Sequence, residues 1–319
     1  MTQLECLEIC AGAGGQALGL ESAGFEPAAL IEIDRACCNT LRFNRPHWNI
    51  VEDDVRQFHG KSFEGIDLLA GGVPCPPFSK AGKQLGHKDE RDLFPEALRL
   101  VDECNPRAVL LENVRGFLDP AFENYRLNIK SQLQKMGYEV DWKLLNASHF
   151  GVSQLRPRVV IVAVQKSLAD GFDWPQPNEN ALPTVGQLLY DQMASIGWKG
   201  AEAWKLKAND IAPTIVGGSK KHGGPDLGPT RAKRAWAKLD VDGMGIANDP
   251  PSEDFKGMPK LTVPMVARIQ GFPDVWHFTG KKTPAYRQVG NAFPPPVAHA
   301  VASEIYKCLS RKTVFAVSR

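Results

Sequence analysis

Short apolar runs alternate with stretches of helical spacing through the first 165 residues, and this alternation restricts the chain to few folds. Strands that alternate with helices form parallel sheets covered by helices on both faces. The sequence therefore predicts an α/β fold with a doubly wound, mixed but mostly parallel sheet. Strands are predicted near residues 6–10, 28–34, 49–55, 66–70, 108–114, 138–146 and 159–164, and helices at 16–23 and 93–103.

The alternation ends near Trp174, and the next hundred residues are rich in Gly, Pro and Trp with few clean periods. Helical spacing returns towards the C-terminus, in the segment 297–309. We predict three parts: a large domain at 1–173, a small irregular domain with a hinge at 174–282, and a segment at 283–319 that returns to the first domain.

The composition is that of an ordinary globular protein, with 43% hydrophobic and 23% charged residues among 319. No apolar run reaches about eighteen residues, so no membrane span is expected. The chain enters a strand-like segment directly, so we expect no signal peptide. Seven cysteines without framework spacing suit a reducing compartment, and without CxxC pairs beside His no metal is expected.

A cysteine flanked by prolines follows the predicted strand at 66–70, in the run Gly71-Gly72-Val73-Pro74-Cys75-Pro76-Pro77. Prolines restrict φ on both sides of the thiol. In open α/β sheets, ligands bind outside the carboxyl ends of the strands. The local sequence is compatible with a nucleophile at Cys75 and equally with an inert structural cysteine.

Three successive predicted strands end in groups that suit a nucleoside. The glycine-rich turn Ala11-Gly12-Ala13-Gly14-Gly15 follows the first strand, and its spacing is not GxGxxG. Glu32 follows at the end of the second strand, where an acid can bind ribose hydroxyls. Asp54 follows the third and could accept a hydrogen bond from an adenine amino group. The turn alone could be an ordinary tight connection; the three together predict a nucleoside-binding edge.

Charged side chains stand at two further strand ends. Glu112 lies at the carboxyl end of the predicted strand 108–114. It is either a cap for the next helix or an acid/base group that faces the same crevice as Cys75. Arg156 and Arg158 precede the most continuously apolar strand, so their side chains are expected near the sheet.

Two segments carry locally concentrated positive charge although the net charge is only +2. Residues 79–92 are basic and glycine-hinged, which suits a loop closing over an anionic polymer as well as a solvated loop. Residues 199–238 carry nine bases against three acids, an electrostatic footprint for phosphate. The loop Gly217–Gly224 within it is rich in donors and could enter a groove.

Six short motifs, in order along nearly the whole chain, resemble those of the DNA (cytosine-5) methyltransferases. They are the turn at 11–15, Pro74-Cys75, Glu112-Asn113-Val114, Gln154-Leu155-Arg156-Pro157-Arg158, Arg268-Ile269-Gln270-Gly271-Phe272-Pro273 and Gly290-Asn291-Ala292. The resemblance implies a Rossmann-like methyltransferase domain with a small target-recognition domain. It also implies methyl transfer from S-adenosylmethionine to C5 of a flipped-out cytosine, through a covalent bond between Cys75 and C6.

The resemblance assigns roles to individual residues. Catalysis is expected from Cys75, Glu112, Arg156 and Arg158, and cofactor binding from Cys10, Ala11, Gly12, Ala13, Gly14, Gly15, Glu32, Ile33, Asp54, Val55, Pro74, Leu93, Asn291 and Ala292. DNA contacts are expected from Ser79, Lys83, Thr214, Gly217, Gly218, Lys220, Lys221 and His222. The expected partners are double-stranded DNA and, at family level, a restriction endonuclease; the expected state is a monomer in the bacterial cytoplasm.

The chain departs from the family pattern at four positions: Cys10 where Phe is frequent, Glu8 where Asp is frequent, Pro76 where Gln often follows the cysteine, and Pro264-Met265 where Arg-Glu is usual. The last departure predicts reduced packing. Three alternatives stay open: methylation of cytosine in tRNA, a nicotinamide-dependent dehydrogenase on a Rossmann fold, and a catalytically silent DNA-binding module. The basic segment between Trp174 and Lys260 favours DNA over tRNA, and the missing GxGxxG disfavours the dehydrogenase.

Overall fold

A computed structural model of the chain describes residues 3–74, 92–178, 180–218 and 224–316, with side chains described as far as Arg311. Seven strands form one sheet in the order β3-β2-β1-β4-β5-β7-β6. The strands are β1 (Glu5–Ile9), β2 (Glu26–Glu32), β3 (Ile50–Glu52), β4 (Leu68–Gly72), β5 (Ala108–Val114), β6 (Tyr138–Asn146) and β7 (Pro157–Gln165).

The predicted fold class is confirmed, and the mixed character of the sheet arises from one strand. The pairs from β3 through β5 are all parallel. β7 runs antiparallel to both of its neighbours, β5 and β6. Both β4 and β5 are buried on both faces over their apolar stretches, as expected of central strands covered by helices.

Ten α-helices are described. They are α1 (Gly15–Ala23), α2 (Arg35–Asn44), α3 (Phe94–Cys104), α4 (Glu123–Lys135), α5 (Val185–Ala194), α6 (Ala201–Lys207), α7 (Thr230–Ala237), α8 (Val263–Ile269), α9 (Lys282–Asn291) and α10 (Pro295–Ala316). Their starts follow local chemistry: Asp34 caps α2 and Thr184 forms a capping box on α5. Within the described part of the chain, no helix is both long and apolar enough to cross a membrane.

The C-terminal helix packs on the first helix of the chain. A Cβ on Gly19 of α1 would lie 2.4 Å from Cβ of Ala298 in α10, so only glycine allows this approach. Val301 and Ile305 are fully buried in the same apolar cluster as Leu20 and residues of the sheet. The last segment therefore does lie against the first part, while the boundaries at 173/174 and 282/283 stay predictions.

The middle of the chain builds its structure from helices and irregular backbone. In the described residues between 174 and 281, α5 to α8 are the regular elements and no strand occurs. Trp204 and Trp236 are fully buried there, in one apolar cluster with Leu41 and Trp48 of the first part. This region therefore shares a core with the sheet-bearing part.

The expected loss of packing around Pro264 is wrong. Thr262 caps α8 by accepting the N–H of Met265, and Pro264 lies in the first turn, where a missing N–H is harmless. Met265 and Val266 are fully buried. Met265 and Val266 therefore fill the core, while Pro264 itself is exposed.

Candidate active site

A crevice of about 530 Å³ opens at the carboxyl ends of the parallel strands. That volume lies in the usual range for small-molecule sites, and this edge is where open α/β sheets bind ligands. All the predicted cofactor residues except Gly14 line it: Cys10, Ala11, Gly12, Ala13, Gly15, Glu32, Ile33, Asp54, Val55, Pro74, Leu93, Asn291 and Ala292. Glu112 lines it as well.

The glycines of the turn after β1 serve three different needs. Gly12 has a left-handed φ of 56° and open space where a Cβ would stand, so its backbone is accessible from the crevice. A Cβ on Gly15 would lie 2.2 Å from the carbonyl oxygen of Phe293, so this position must lack a side chain. A Cβ on Gly14 would contact Leu41 and Trp276 at 2.8 Å, which shows that Gly14 faces the protein interior.

Glu32 ties the end of β2 to this turn. Its carboxylate accepts the backbone N–H of Gly12 and that of Asp34, both at 2.7 Å. Burial raises the pKa of Glu32, while these backbone hydrogen bonds oppose the shift. Each oxygen keeps a second acceptor position, so the carboxylate can still receive hydroxyl groups of a ligand.

Two neighbours extend this edge. Ile33 follows Glu32 and is 66% exposed, which is unusual for an isoleucine beside a crevice and offers an apolar face to a ligand. Asp54 accepts the backbone N–H of Arg56 and pairs with its guanidinium at 3.0 Å. The backbone hydrogen bond is the largest cause that lowers the pKa of Asp54, so this carboxylate stays ionised.

Glu8, which the sequence marked only as a departure from the family pattern, also lines the crevice. Its carboxylate is 1% exposed, and neither oxygen has a hydrogen-bond partner among the residues that the structure describes. Burial, followed by the nearby Glu32, raises its pKa well above the usual value. Cys10 beside it has a left-handed φ of 52°, and burial raises the pKa of its thiol to about 12. This thiol is therefore a neutral packing group.

Glu112 and Arg158 form a buried ion pair at the crevice. Nε of Arg158 lies 2.7 Å from Oε1 of Glu112, and both side chains are 12% exposed. Burial raises the pKa of Glu112, and the two arginines Arg158 and Arg156 oppose the shift. The pair exists because β5 and β7 are neighbours: Glu112 and Val160 are partners in the antiparallel register, two residues from Arg158.

Asn113 and Leu93 hold the chain that leads to Cys75. The Asn113 side-chain amide donates to the carbonyl of Val73 at 2.9 Å, and the N–H of Leu93 donates to the carbonyl of Pro74 at 3.1 Å. Pro74 lines the crevice, whereas Cys75 itself lies outside the described residues. The role of Asn113 was missed because an amide within a motif gives no sequence signal for its partner.

Arg156, expected beside the reacting groups, is fully buried and binds backbone. Its guanidinium donates to the carbonyls of Ile215, Gly290 and Ala292 at 2.7–2.9 Å. Burial lowers its pKa well below the usual value, with Arg158 adding to the shift. The contacts join three segments that are distant in sequence.

Two glutamines continue this junction and were not singled out from the sequence. Gln154 donates to the side chain of Gln270 at 2.7 Å and accepts the N–H of Ile215 at 2.9 Å. Gln270 donates to the carbonyl of Ala292 at 2.6 Å. The motifs around residues 154, 270 and 291 thus meet through side-chain to backbone hydrogen bonds, which no sequence spacing predicts.

Of the eight residues expected to contact DNA, three lie in the described part of the chain and five lie outside it. Gly217 packs on the turn after α9, where a Cβ would lie 2.3 Å from the Asn291 side-chain oxygen, and Gly218 lines the crevice. The hydroxyl of Thr214 donates to the carbonyl of Leu155. Ser79, Lys83, Lys220, Lys221 and His222 lie outside the described residues.

The fold and the crevice define an α/β protein with an open crevice at the carboxyl ends of its parallel strands and a buried carboxylate–guanidinium pair beside it. Within the described ranges, no three His, Cys, Asp or Glu side chains converge as metal ligands would. A family model described as C-5 cytosine-specific DNA methylase matches residues 4–307.

Similar proteins agree with that match. The chain is 58% identical to Type II methyltransferase M.NgoMIV of Neisseria gonorrhoeae, over 97% of this chain and 99% of that protein. It is 57% identical to Type II methyltransferase M.NaeI of Lentzea aerocolonigenes, over 97% of this chain and 76% of that protein. Among solved structures, a prophage-encoded DNA modification methyltransferase of E. coli superposes with a TM-score of 0.70 at 26% identity, covering 96% of this chain and 99% of that one.

This chain belongs to the C-5 cytosine-specific DNA methylase family, and it is a DNA (cytosine-5-)-methyltransferase. The dehydrogenase and the silent module are thereby set aside. The fold is shared with a DNMT2 structure from Spodoptera frugiperda. The two chains are 19% identical and superpose with a TM-score of 0.64, covering 96% of this chain and 99% of that one.

Proposed function

We propose that this enzyme transfers the methyl group of S-adenosylmethionine to C5 of a cytosine in a specific double-stranded DNA sequence, through a covalent bond between Cys75 and C6. One observation carries the proposal. A single crevice is lined by the residues of the predicted nucleoside-binding edge, by Glu112, which pairs with Arg158, and by Pro74, the chain neighbour of Cys75.

The residues present fit S-adenosylmethionine. The open space above Gly12 admits a ligand close to the backbone, and Glu32 and Ile33 offer a hydrogen-bond acceptor and an apolar surface for a nucleoside. Asp54, held ionised, is an acceptor for an amino group. When bound, S-adenosylmethionine supplies an electrophilic methyl group on a sulfonium.

The chain's own residues would activate the cytosine. The Cys75 thiolate forms a bond to C6, and the ring electrons that this addition releases make C5 nucleophilic. Glu112, whose raised pKa favours holding a proton, would share that proton with N3 and accept from the exocyclic amine. Arg158 remains positive and would donate to O2, where negative charge develops.

The reaction closes by loss of the C5 proton and of the Cys75 thiolate. After C5 accepts the methyl group, a base removes the C5 proton, the C5–C6 double bond re-forms, and the Cys75 thiolate leaves. These atoms are inaccessible within a stacked duplex, so the cytosine must be extruded into the crevice. In this mechanism Arg156 is a positioning residue, because its donors are directed at backbone carbonyls.

The names of the relatives support pairing with a restriction endonuclease of the same sequence specificity, since both of the relatives compared above are Type II methyltransferases. Methylation of every copy of one site in a host genome is the expected outcome of such a pairing.

The test begins with bisulfite sequencing of DNA from cells that express the chain, which should show complete cytosine methylation at one short sequence. Cys75→Ser should abolish methyl transfer while S-adenosylmethionine binding, measured by calorimetry, is retained. The matched control is Cys308→Ala, a buried cysteine on α10 away from the crevice, which should leave methylation intact. Methylation by Cys75→Ser, or no covalent adduct with a 5-fluorocytosine duplex and methyl donor, would overturn the covalent mechanism.

A further inference from the structure

The basic segment 199–238 divides into paired and unpaired charges in the structure. Lys199 lies 3.0 Å from Glu253 and 2.8 Å from Asp254, which leaves no positive excess there. Lys205 pairs with Glu202 at 3.5 Å and Lys207 with Asp240 at 3.3 Å. These bases are neutralised locally, so the composition of the segment overstates its attraction for phosphate.

Three bases on and just beyond α7 form no ion pair within the described part of the chain. They are Arg231, Arg234 and Lys238, and all three are exposed. Their spacing of i, i+3 and i+7 places them along one side of a helix. We call Arg231, Arg234 and Lys238 the α7 stripe. Trp236 and Leu239 are buried on the other side and anchor the helix.

The acids near α7 are already neutralised by other bases. Residues 230–238 contain no acid. Asp226 lies 2.8 Å from Lys233, a base of α7 outside the stripe, and Asp242 lies 3.7 Å from Lys260. The α7 stripe therefore presents about three uncompensated positive charges, which attract an anionic polymer most strongly at low salt.

The length of the stripe matches a phosphate backbone. Seven residues of helix rise about 10 Å, and one DNA strand carries a charge about every 3.4 Å along the duplex axis. The three side chains therefore span about as far as three phosphate steps. No aromatic side chain is exposed along α7 for stacking on bases, so backbone contact is the favoured mode.

The stripe is held in a fixed relation to the crevice. The buried Tyr286 hydroxyl of α9 lies 3.0 Å from the carbonyl oxygen of Val216 and 2.7 Å from that of Asp226, on the chain leading into α7. Four other residues of α9, namely Pro284, Arg287, Gln288 and Asn291, line the crevice. A duplex bound by the stripe is thus coupled through α9 to the site of methyl transfer.

We propose that the α7 stripe binds three phosphates within a run of about four on one strand of duplex DNA and positions the duplex against the crevice, independently of base sequence. The inference rests on the proposed function in taking duplex DNA as the substrate. It adds a surface that neither the family motifs nor the expected DNA contacts contain.

The test compares two triple variants with the same change in net charge. The stripe variant is Arg231→Gln, Arg234→Gln and Lys238→Gln. Its control is Lys199→Gln, Lys205→Gln and Lys207→Gln, which removes three bases that have acidic partners. Binding to a duplex with and without the recognised site is measured by fluorescence anisotropy between 50 and 200 mM salt.

Three lost phosphate contacts should lower the slope of log affinity against log salt by about 2.7, equally for both duplexes. The KM for DNA should rise, and the control should keep the wild-type slope. Restoring charge with Arg231→Lys and Arg234→Lys should keep the slope near that of the wild type. Retained S-adenosylmethionine affinity shows that the stripe variant is folded.

Each other outcome is decisive. The inference is overturned if the stripe variant and the control have equal salt slopes, or if only the duplex with the recognised site loses affinity. In either case, cytosine methylation by the wild type would still support the proposed function. A stripe-dependent slope without cytosine methylation overturns the proposed function alone. Tighter binding to tRNA than to duplex DNA, with only the tRNA slope changed in the stripe variant, would assign the surface to RNA and overturn the inference.

Discussion

The three buried glutamates at the crevice and the partly or fully exposed, paired acids in the second half of the chain have different environments. At the sheet edge, burial is the largest cause of the raised pKa of Glu8, Glu32 and Glu112. In the second half, Asp191 accepts a hydrogen bond from Arg268, which lowers its pKa. Asp226 and Asp240 there pair with lysines near the surface.

This difference distinguishes carboxyl groups that are placed to contact a ligand from carboxyl groups that take part in the fold. Burial of a carboxylate destabilises the protein unless a partner compensates it. Backbone N–H groups compensate Glu32 in part and Arg158 compensates Glu112 in part, whereas Glu8 has no such partner among the described residues. Paired surface acids contribute little in either state. Substitutions at the sheet edge should therefore change chemistry or raise stability, and substitutions at the junction of the two halves should lower stability.

The largest effect is expected at Glu112. Glu112→Gln keeps the shape but removes the shared proton, and groups of this kind contribute about 10²–10³ in rate. Single-turnover methyl transfer should slow by about that factor while S-adenosylmethionine affinity is retained. Glu202→Gln, on an exposed acid of the second half, is the control and should transfer at the wild-type rate. A wild-type rate for Glu112→Gln would remove this residue from the mechanism.

The next effect is expected at the junction. Arg156→Met leaves the carbonyls of Ile215 and Gly290 without the guanidinium donor, while the carbonyl of Ala292 keeps the Gln270 amide. The free energy of unfolding should therefore fall by about 3 kcal/mol. Urea unfolding followed by tryptophan fluorescence measures this. Arg42→Met, which breaks an exposed pair with Glu52, should lose less than about 1 kcal/mol. Similar losses of unfolding free energy in both variants would contradict the structural role of Arg156 at this junction.

The smallest effect is a stabilisation at Glu8. Because its pKa is raised on folding, the folded state binds more protons than the unfolded state above pH 4.5, and Glu8 destabilises the protein as pH rises through that window. Glu8→Gln should therefore be more stable than the wild type at pH 8, with a smaller difference at pH 5. Thermal unfolding without cofactor measures both. A difference that is constant across this range would show that Glu8 has a partner when ionised.

Much of the fold was predictable because its signals are local. The strands β5 and β6 were predicted at their observed bounds. β5 is an apolar run ended by polar residues, and such runs identify buried strands. The glycine turn and the acids at strand ends predicted the crevice because parallel strands bring their carboxyl ends to one edge. Glu112 and Arg158 were both expected among the catalytic residues, but their pairing with each other was not predicted and is seen only in the structure.

What the amino-acid sequence alone determined is the set of elements and the chemical groups at their ends, because periodicity and turn chemistry act over a few residues. Tertiary structure decided which of two similar arginines would pair with Glu112 and which would bind three carbonyls. It likewise decided which lysines of the second half would be neutralised and which three bases would remain uncompensated on α7. Partners of charged side chains come from distant parts of the chain, so their environment exists only once the chain has folded.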